Sequence, residues 1–191
     1  MKRRIVVTGL GAITPVGNSV EESWKNLLAG RSGAAPITLF DASDYPVTFS
    51  APVKEFDVAE YLNPRDARRM DLFLQYGLSA SLAALDDSGL EITEENAERI
   101  GSMVGSGIGG LPAIEETHNV ILERGPRRVS PFFVPGAIIN MVAGQLSIMR
   151  GLKGPNLATV TACASATHAI GLAARLIAYG DADVMVTGGA E

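Results

Sequence analysis

The chain of 191 residues carries 16 basic against 21 acidic side chains, a formal net charge of −5, with 47% of its residues hydrophobic. That apolar content supplies one sizeable core, while the negative balance argues against bulk nucleic-acid affinity. The single cysteine, Cys163, excludes an internal disulfide framework and fits a reducing, cytoplasmic compartment.

In chain order, the basic start Met1-Lys2-Arg3-Arg4 leads into an apolar run that Gly9, Gly11 and Pro15 interrupt, so it does not read as a signal peptide or a membrane span. Within it, Ile5 to Thr8 reads as a buried strand. Gly-rich turns follow, then a helix from about Ser19 to Ala29 with Val20, Trp24, Leu27 and Leu28 on one face, stopped by Gly30. Residues 31–60, broken by Pro36, Pro46 and Pro52, read as a surface excursion. Asn63-Pro64 supplies an N-cap and a first helical position for a helix running to about Asp87 and closed by Gly89. Ile100 to Ser106 is the next strand, and Glu115 to Glu123 and Asn140 to Met149 read as helices. A strand then leads to Cys163, a helix follows from Ala166 to Tyr179, and Ala182 to Gly188 is the closing strand. Strands alternate with helices and no short repeat interrupts them, which predicts one α/β domain.

Between Ala164 and Tyr179 the polar side chains are only Ser165, Thr167, His168 and Arg175, so this helix is apolar nearly all round and needs covering on several sides. The last strand also ends three residues before Glu191. More protein is therefore expected beyond this point, and the segment alone is expected either to self-associate or to need a second half.

Two glycine-rich motifs invite a nucleotide-binding reading and fail it. Gly9-Leu10-Gly11 follows a strand, but Thr14 stands at the third glycine position and Pro15 comes next. Gly105-Ser106-Gly107-Ile108-Gly109-Gly110 lacks the Lys-Ser/Thr pair of a phosphate-cradling loop. Close backbone packing at strand ends is the better account.

Cys163 falls between the β-prone Thr159-Val160-Thr161 and a run of helix formers, which places it at or beside a helix N-terminus, where unpaired N–H groups favour a thiolate. A helix end contributes about 0.3–1 kcal/mol, and a pKa moves one unit per about 1.36 kcal/mol. Placement alone thus activates the thiol only in part, and it serves a nucleophile or a small buried core cysteine equally well. Neither histidine is a convincing base. His168, five residues on, points about 140° around the helix from Cys163, and His118 lies in the polar segment Glu115-Glu116-Thr117-His118-Asn119, as a surface residue would. No set of side chains stands at metal-ligand spacing with either.

Six of the sixteen basic residues cluster in two short segments. Arg65, Arg68 and Arg69 stand at i, i+3 and i+4 of the helix opened by Pro64 and so share a face, and Arg124, Arg127 and Arg128 surround Gly125-Pro126. On sequence alone they are either solvated surface arginines or a docking surface for an acidic partner.

The runs Thr161-Ala162-Cys163-Ala164-Ser165-Ala166-Thr167-His168-Ala169-Ile170-Gly171 and Val6-Val7-Thr8-Gly9-Leu10-Gly11-Ala12-Ile13-Thr14-Pro15-Val16-Gly17 resemble the β-ketoacyl-acyl carrier protein synthases. So do Gly105 to Gly110, Ser130-Pro131-Phe132-Phe133-Val134-Pro135, Gly151-Leu152-Lys153-Gly154-Pro155-Asn156 and Gly188-Gly189-Ala190-Glu191. These motifs keep one order over nearly the whole chain, and they look most like the synthase II branch. The resemblance implies a five-layered α/β/α/β/α thiolase-like fold of two similar halves. Residues 1–191 would then be an incomplete N-terminal β-ketoacyl synthase domain, most of the first half, with the C-terminal half absent.

By the same resemblance Cys163 carries the acyl chain as a thioester, and Ile108 sits beside it and gates the acyl pocket with Phe133 nearby. The plainer reading makes those two ordinary core side chains. Two histidines and a lysine would come from the second half, in Gly-Thr-Gly-Thr-Pro and Lys-Ser-x-x-Gly-His segments not found here, so this segment alone is expected to be inactive in condensation. Arg65, Arg68, Arg69, Arg124, Arg127 and Arg128 match the family's docking surface for acidic acyl carrier protein. The strand from Leu157 to Ala162 would pair across a homodimer two-fold. The implied activity joins an acyl group on Cys163 to malonyl-acyl carrier protein with loss of carbon dioxide, and it calls for no metal or redox cofactor. A polyketide ketosynthase is one alternative. A noncatalytic chain-length partner subunit is another, although such subunits lack the cysteine.

Overall fold

Helix α1 (Val20–Leu28) begins where Ser19 caps it: the Ser19 hydroxyl accepts from the Glu22 amide at 3.1 Å, and the Glu22 carboxylate reaches back to accept from the Asn18 amide at 2.8 Å. This reciprocal pair satisfies one amide that the first turn would leave open and one just ahead of the cap. Gly30, at φ 65°, ends the helix as expected. These coordinates are a computed structural model that describes residues 3–191; Met1 and Lys2 of the basic start lie outside the described residues. The excursion that follows is exposed through most of its length. It holds two short antiparallel strands, β1 (Ala35–Pro36) and β2 (Phe49–Ser50), and a 3-10 turn at Val58–Glu60.

The long helix expected from Pro64 to Asp87 is in fact two. Helix α2 (Pro64–Ala67) stops after one turn, and α3 (Leu72–Ser88) starts afresh from Asp71. Tertiary bonds impose the break. The Asp71 amide donates to the Gly136 carbonyl at 3.0 Å instead of to its own helix, and its carboxylate accepts from the Phe73 and Ala113 amides. The Gln75 side-chain amide donates to the carbonyls of Ala67 and Met70. Gly89, at φ 63°, closes α3.

Strand β3 (Ile100–Gly105) is the centre of a parallel sheet ordered β4-β3-β5, with β4 at Asn156–Leu157 and β5 at Val184–Gly189. β3 and β5 stay in register from Ile100 opposite Val184 to Gly105 opposite Gly189. Every residue of β3 is buried, so both faces are covered, by α3 and α6 (Met141–Arg150) and by α7 (Ser165–Tyr179). Between β3 and α6 lie α4 (Leu111–Arg124) and a one-turn α5 (Phe133–Ala137). The core sits on the α3–α6 side, where Leu74, Leu78, Leu82, Ile100, Val142 and Leu146 are buried. Each contributes about 1.5–3 kcal/mol by leaving water. Against α7 the contact is made by small side chains, Ala169 and Ala173.

Two expectations need correction. Ile5 to Thr8 pairs in no ladder and is exposed, Val7 at 78%. This segment is fixed at its two ends rather than along its length. Arg3 donates to Asp183 and to the Ala182 carbonyl at the foot of β5, and Gly9 and Gly11 lie so close to α3 that a Cβ there would run into the Ala84 and Ala80 carbonyls. Nothing among the described residues covers the outer side of that run. The apolar face of α1 is likewise open, with Trp24, Leu27 and Leu28 exposed. Finally, the strand leading to Cys163 is only two residues long: beyond it the Thr159 carbonyl still accepts from the Ser106 amide at 3.2 Å, but the Thr159 hydroxyl and the Thr161 amide bond forward to Ser165 at the head of α7.

Candidate active site

β4 is held against α6 by polar contacts: the Asn156 side-chain amide donates to the Ala143 carbonyl at 3.0 Å and to the Ser147 hydroxyl at 2.7 Å. From β4 the chain runs to a sharp turn whose pivot is Ala162, at φ 51°. For a residue with a Cβ the left-handed region costs about 1–2 kcal/mol, so the surroundings must enforce it, and they do. The buried Ser165 hydroxyl donates to the Ala162 carbonyl at 2.7 Å and accepts from the Thr161 amide at 2.9 Å. The Thr159 hydroxyl donates to the Ser165 carbonyl at 2.8 Å. Cys163 rides on this turn, two residues before α7, and its thiol is free and exposed. That removes the buried-core reading of the cysteine.

The cavity beside it, about 490 Å³, is lined by Cys163, Ala162 and Ser165, by Ser106 to Ile108 of the loop after β3, and by Ala190 and Glu191 after β5. Ile108, 62% exposed, stands in its wall. Phe133 does not; it lines a second cavity. Neither histidine bonds to Cys163 among the described residues. His118 is exposed on α4, and His168 Nδ1 lies 2.7 Å from the Thr161 hydroxyl, bracing the same turn from the helix side.

That second cavity, also about 490 Å³, brings the two arginine groups together. Arg68 and Arg69 reach it from the α2–α3 break and Arg128 from the turn after α4, across from Asp71 and Glu116. Arg69 lies 4.1 Å over the Phe132 ring. Arg65, Arg124 and Arg127 are exposed but stand outside it, since the broken helix does not hold Arg65, Arg68 and Arg69 in one continuous row. None of the six forms an ion pair among the described residues, where acidic partners are taken by Arg3, Arg99 and Arg150.

Sequence reasoning missed Ser165, Ser106 and Glu191. The spacing of Thr161 and Ser165 within the turn was a usable signal for the first. The other two have none, because Ser106 and Glu191 meet only through the sheet. Among the described residues no group of three His, Cys, Asp or Glu side chains could hold a metal ion, and no helix is long and apolar enough to cross a membrane.

The family model described as the beta-ketoacyl synthase N-terminal domain matches residues 2–191. A 3-oxoacyl-[acyl-carrier-protein] synthase 2 of Vibrio harveyi is 63% identical over 190 residues, 100% of this chain and 46% of the relative. Among solved structures, the ishigamide ketosynthase/chain length factor superposes with a TM-score of 0.84 at 31% identity, covering 100% of this chain and 48% of that one. A type II PKS ketosynthase in complex with its acyl-carrier protein, bound to the hexaketide, superposes with a TM-score of 0.79 at 29% identity over 96% of this chain and 49% of that one. The chain spans about half the length of the curated relatives it matches.

Proposed function

Because this chain belongs to the beta-ketoacyl synthase family, as its N-terminal domain, we propose that the whole protein is the condensing acyltransferase of fatty acid elongation, with Cys163 as the acylated nucleophile. The fold is the N-terminal half of the thiolase-like architecture. The observation that carries the proposal is an exposed thiol on an enforced turn, opening into a cavity, in a chain 63% identical to a 3-oxoacyl-acyl carrier protein synthase 2. An identity of 29% to the type II PKS ketosynthase, against 63% to the synthase 2, supports the fatty acid reading over the polyketide one. The presence of Cys163 argues against a noncatalytic partner subunit.

In the proposed reaction the Cys163 thiol gives up its proton and attacks the acyl thioester on carrier protein as a thiolate, and the carrier's sulfur leaves as a thiolate that takes up that proton overall. Malonyl-carrier protein then loses carbon dioxide, and the electron pair so released attacks the Cys163 thioester carbonyl. The tetrahedral oxyanion collapses, expels the Cys163 thiolate and yields 3-oxoacyl-carrier protein, two carbons longer. On this half of the protein the Cys163 amide is the donor we assign to that oxyanion, since the next two amides, of Ala164 and Ser165, donate to the Thr161 and Ala162 carbonyls. We assign Ile108 to the gate of the acyl pocket. Phe133 belongs to the acyl pocket only by the family resemblance, since its place in this chain is the basic cleft.

Acyl carrier protein is the proposed partner of that cleft. The unpaired charge of Arg68, Arg69 and Arg128 supports it, with Arg65, Arg124 and Arg127 as a wider positive field that speeds encounter. The open β4 edge, where Leu157 and Val160 are exposed, supports a homodimer across that edge. A lone free thiol supports a cytoplasmic setting. Cys163→Ser in the whole protein is expected to abolish condensation while leaving the fold intact. Elongation at the normal rate by that variant would refute the assignment.

A further inference from the structure

We propose that Glu191 is a positioning residue of this site, whose carboxylate clamps the loop that carries Ile108 and thereby sets which acyl chains reach Cys163. The inference rests on the reading of Cys163 as the acylated nucleophile.

The Glu191 carboxylate accepts from three consecutive residues of the loop after β3: from the Ser106 hydroxyl at 3.0 Å, the Gly107 amide at 2.6 Å and the Ile108 amide at 3.0 Å. Successive amides turned toward one point form an anion-binding nest, and bonds to an ionised acceptor are about twice as strong as neutral ones. The sheet delivers the carboxylate there. β5 stays in register with β3 to Gly189, the Ala190 amide donates to the Gly105 carbonyl at 3.0 Å, and Glu191 follows directly.

The loop needs such a hold. Residues 105–110 contain four glycines, one of them, Gly109, at φ 82°, and glycine has more conformational freedom to lose than any other residue. Ser106 is buried, so without Glu191 its hydroxyl would lose the one partner it has among the described residues. Ile108, by contrast, is 62% exposed, so side-chain packing among the described residues holds it only weakly in the cavity wall. Its position is therefore set through its backbone, and the Ile108 amide is bonded to Glu191. The same bonds occupy the Gly107 and Ile108 amides, which takes them out of contention as oxyanion donors and leaves the loop a steric role.

The test compares the whole protein with its Glu191→Ala and Glu191→Gln variants. Acylation of Cys163 by short and long acyl-carrier thioesters is followed by mass spectrometry, beside alkylation by iodoacetamide and thermal melting. Glu191→Ala is expected to change the ratio of long-chain to short-chain acylation by about tenfold. Glu191→Gln, which keeps an acceptor oxygen, is expected to restore part of that ratio, while alkylation and melting stay near wild type. An unchanged ratio would overturn the proposal, as would an equal loss for all chain lengths accompanied by a fall in melting temperature. Wild-type protein that takes no acyl label on Cys163 would instead overturn the underlying reading, and the clamp's role with it.

Discussion

At the Cys163 turn almost every polar group is paired locally: Thr159, Thr161, Ser165 and His168 bond among themselves and to the Ala162 carbonyl within ten residues of chain. In the basic cleft the reverse holds, and Arg68, Arg69 and Arg128 come together from distant segments with no ion pair among the described residues. A reacting atom must be held to a fraction of an ångström, and short bonds to the adjoining backbone do that even at the cost of a left-handed alanine. A docking field has only to present charge at the right place, and long side chains free to meet a partner suit it. If this contrast is sound, single-atom changes at the turn will alter chemistry, whereas charge changes at the cleft will alter encounter.

The largest effect expected below loss of the nucleophile itself is at Ser165. Ser165→Ala removes the donor to Ala162 and the acceptor for Thr161, and leaving a part-buried amide without a partner costs about 1–3 kcal/mol. Acylation of Cys163 should slow by about tenfold or more, with small thioesters and carrier thioesters affected alike. A difference between the two substrates would break the comparison, because the turn would then be serving the partner.

The next effect lies in the cleft. Arg68→Glu with Arg128→Glu should lower the rate of acylation from carrier protein and weaken its salt dependence, with acylation from small soluble thioesters nearly unchanged. Arg69 is left in place because its guanidinium lies over Phe132, so replacing it would confound charge with packing. Equal losses on both substrates would mean that the cleft supports the fold rather than docking.

The smallest effect marks what charge does when it is merely structural. Hydrogen bonds from Arg99, and then from Arg3, hold the Asp183 carboxyl down to about 2, below the usual carboxylate range. A depressed folded pKa contributes stability that is full above the unfolded value, near pH 4, and lost as pH falls through about 2. Asp183→Asn should therefore flatten the acid limb of a melting-versus-pH series between about pH 4 and 2 and change carrier binding not at all.

How far the sequence carried this contrast depended on the range of the forces involved. The start of α1 near Ser19, the stops at Gly30 and Gly89, β3, and the place of Cys163 ahead of α7 are all set by neighbouring residues and were readable. The break at Arg68–Asp71 was not, because Gly136 and Ala113, more than forty residues away, draw Asp71 out of the helix. The left-handed backbone at Ala162 gave no sign, since alanine rarely adopts it. Glu191 reads as an ordinary surface acid until the sheet brings it to Ser106, Gly107 and Ile108. Ile5 to Thr8 misled in the other direction: its composition is that of a buried strand, yet among the described residues nothing covers it.

The central claim, that Cys163 is the acyl-bearing nucleophile, is tested most directly by incubating the whole protein with acyl-carrier protein alone, without malonyl donor, and mapping the acyl group by peptide mass spectrometry. The account predicts one acyl group, released by hydroxylamine as thioesters are, on the peptide containing Cys163. An acyl group on any other residue, or none on Cys163 while elongation proceeds, would contradict it.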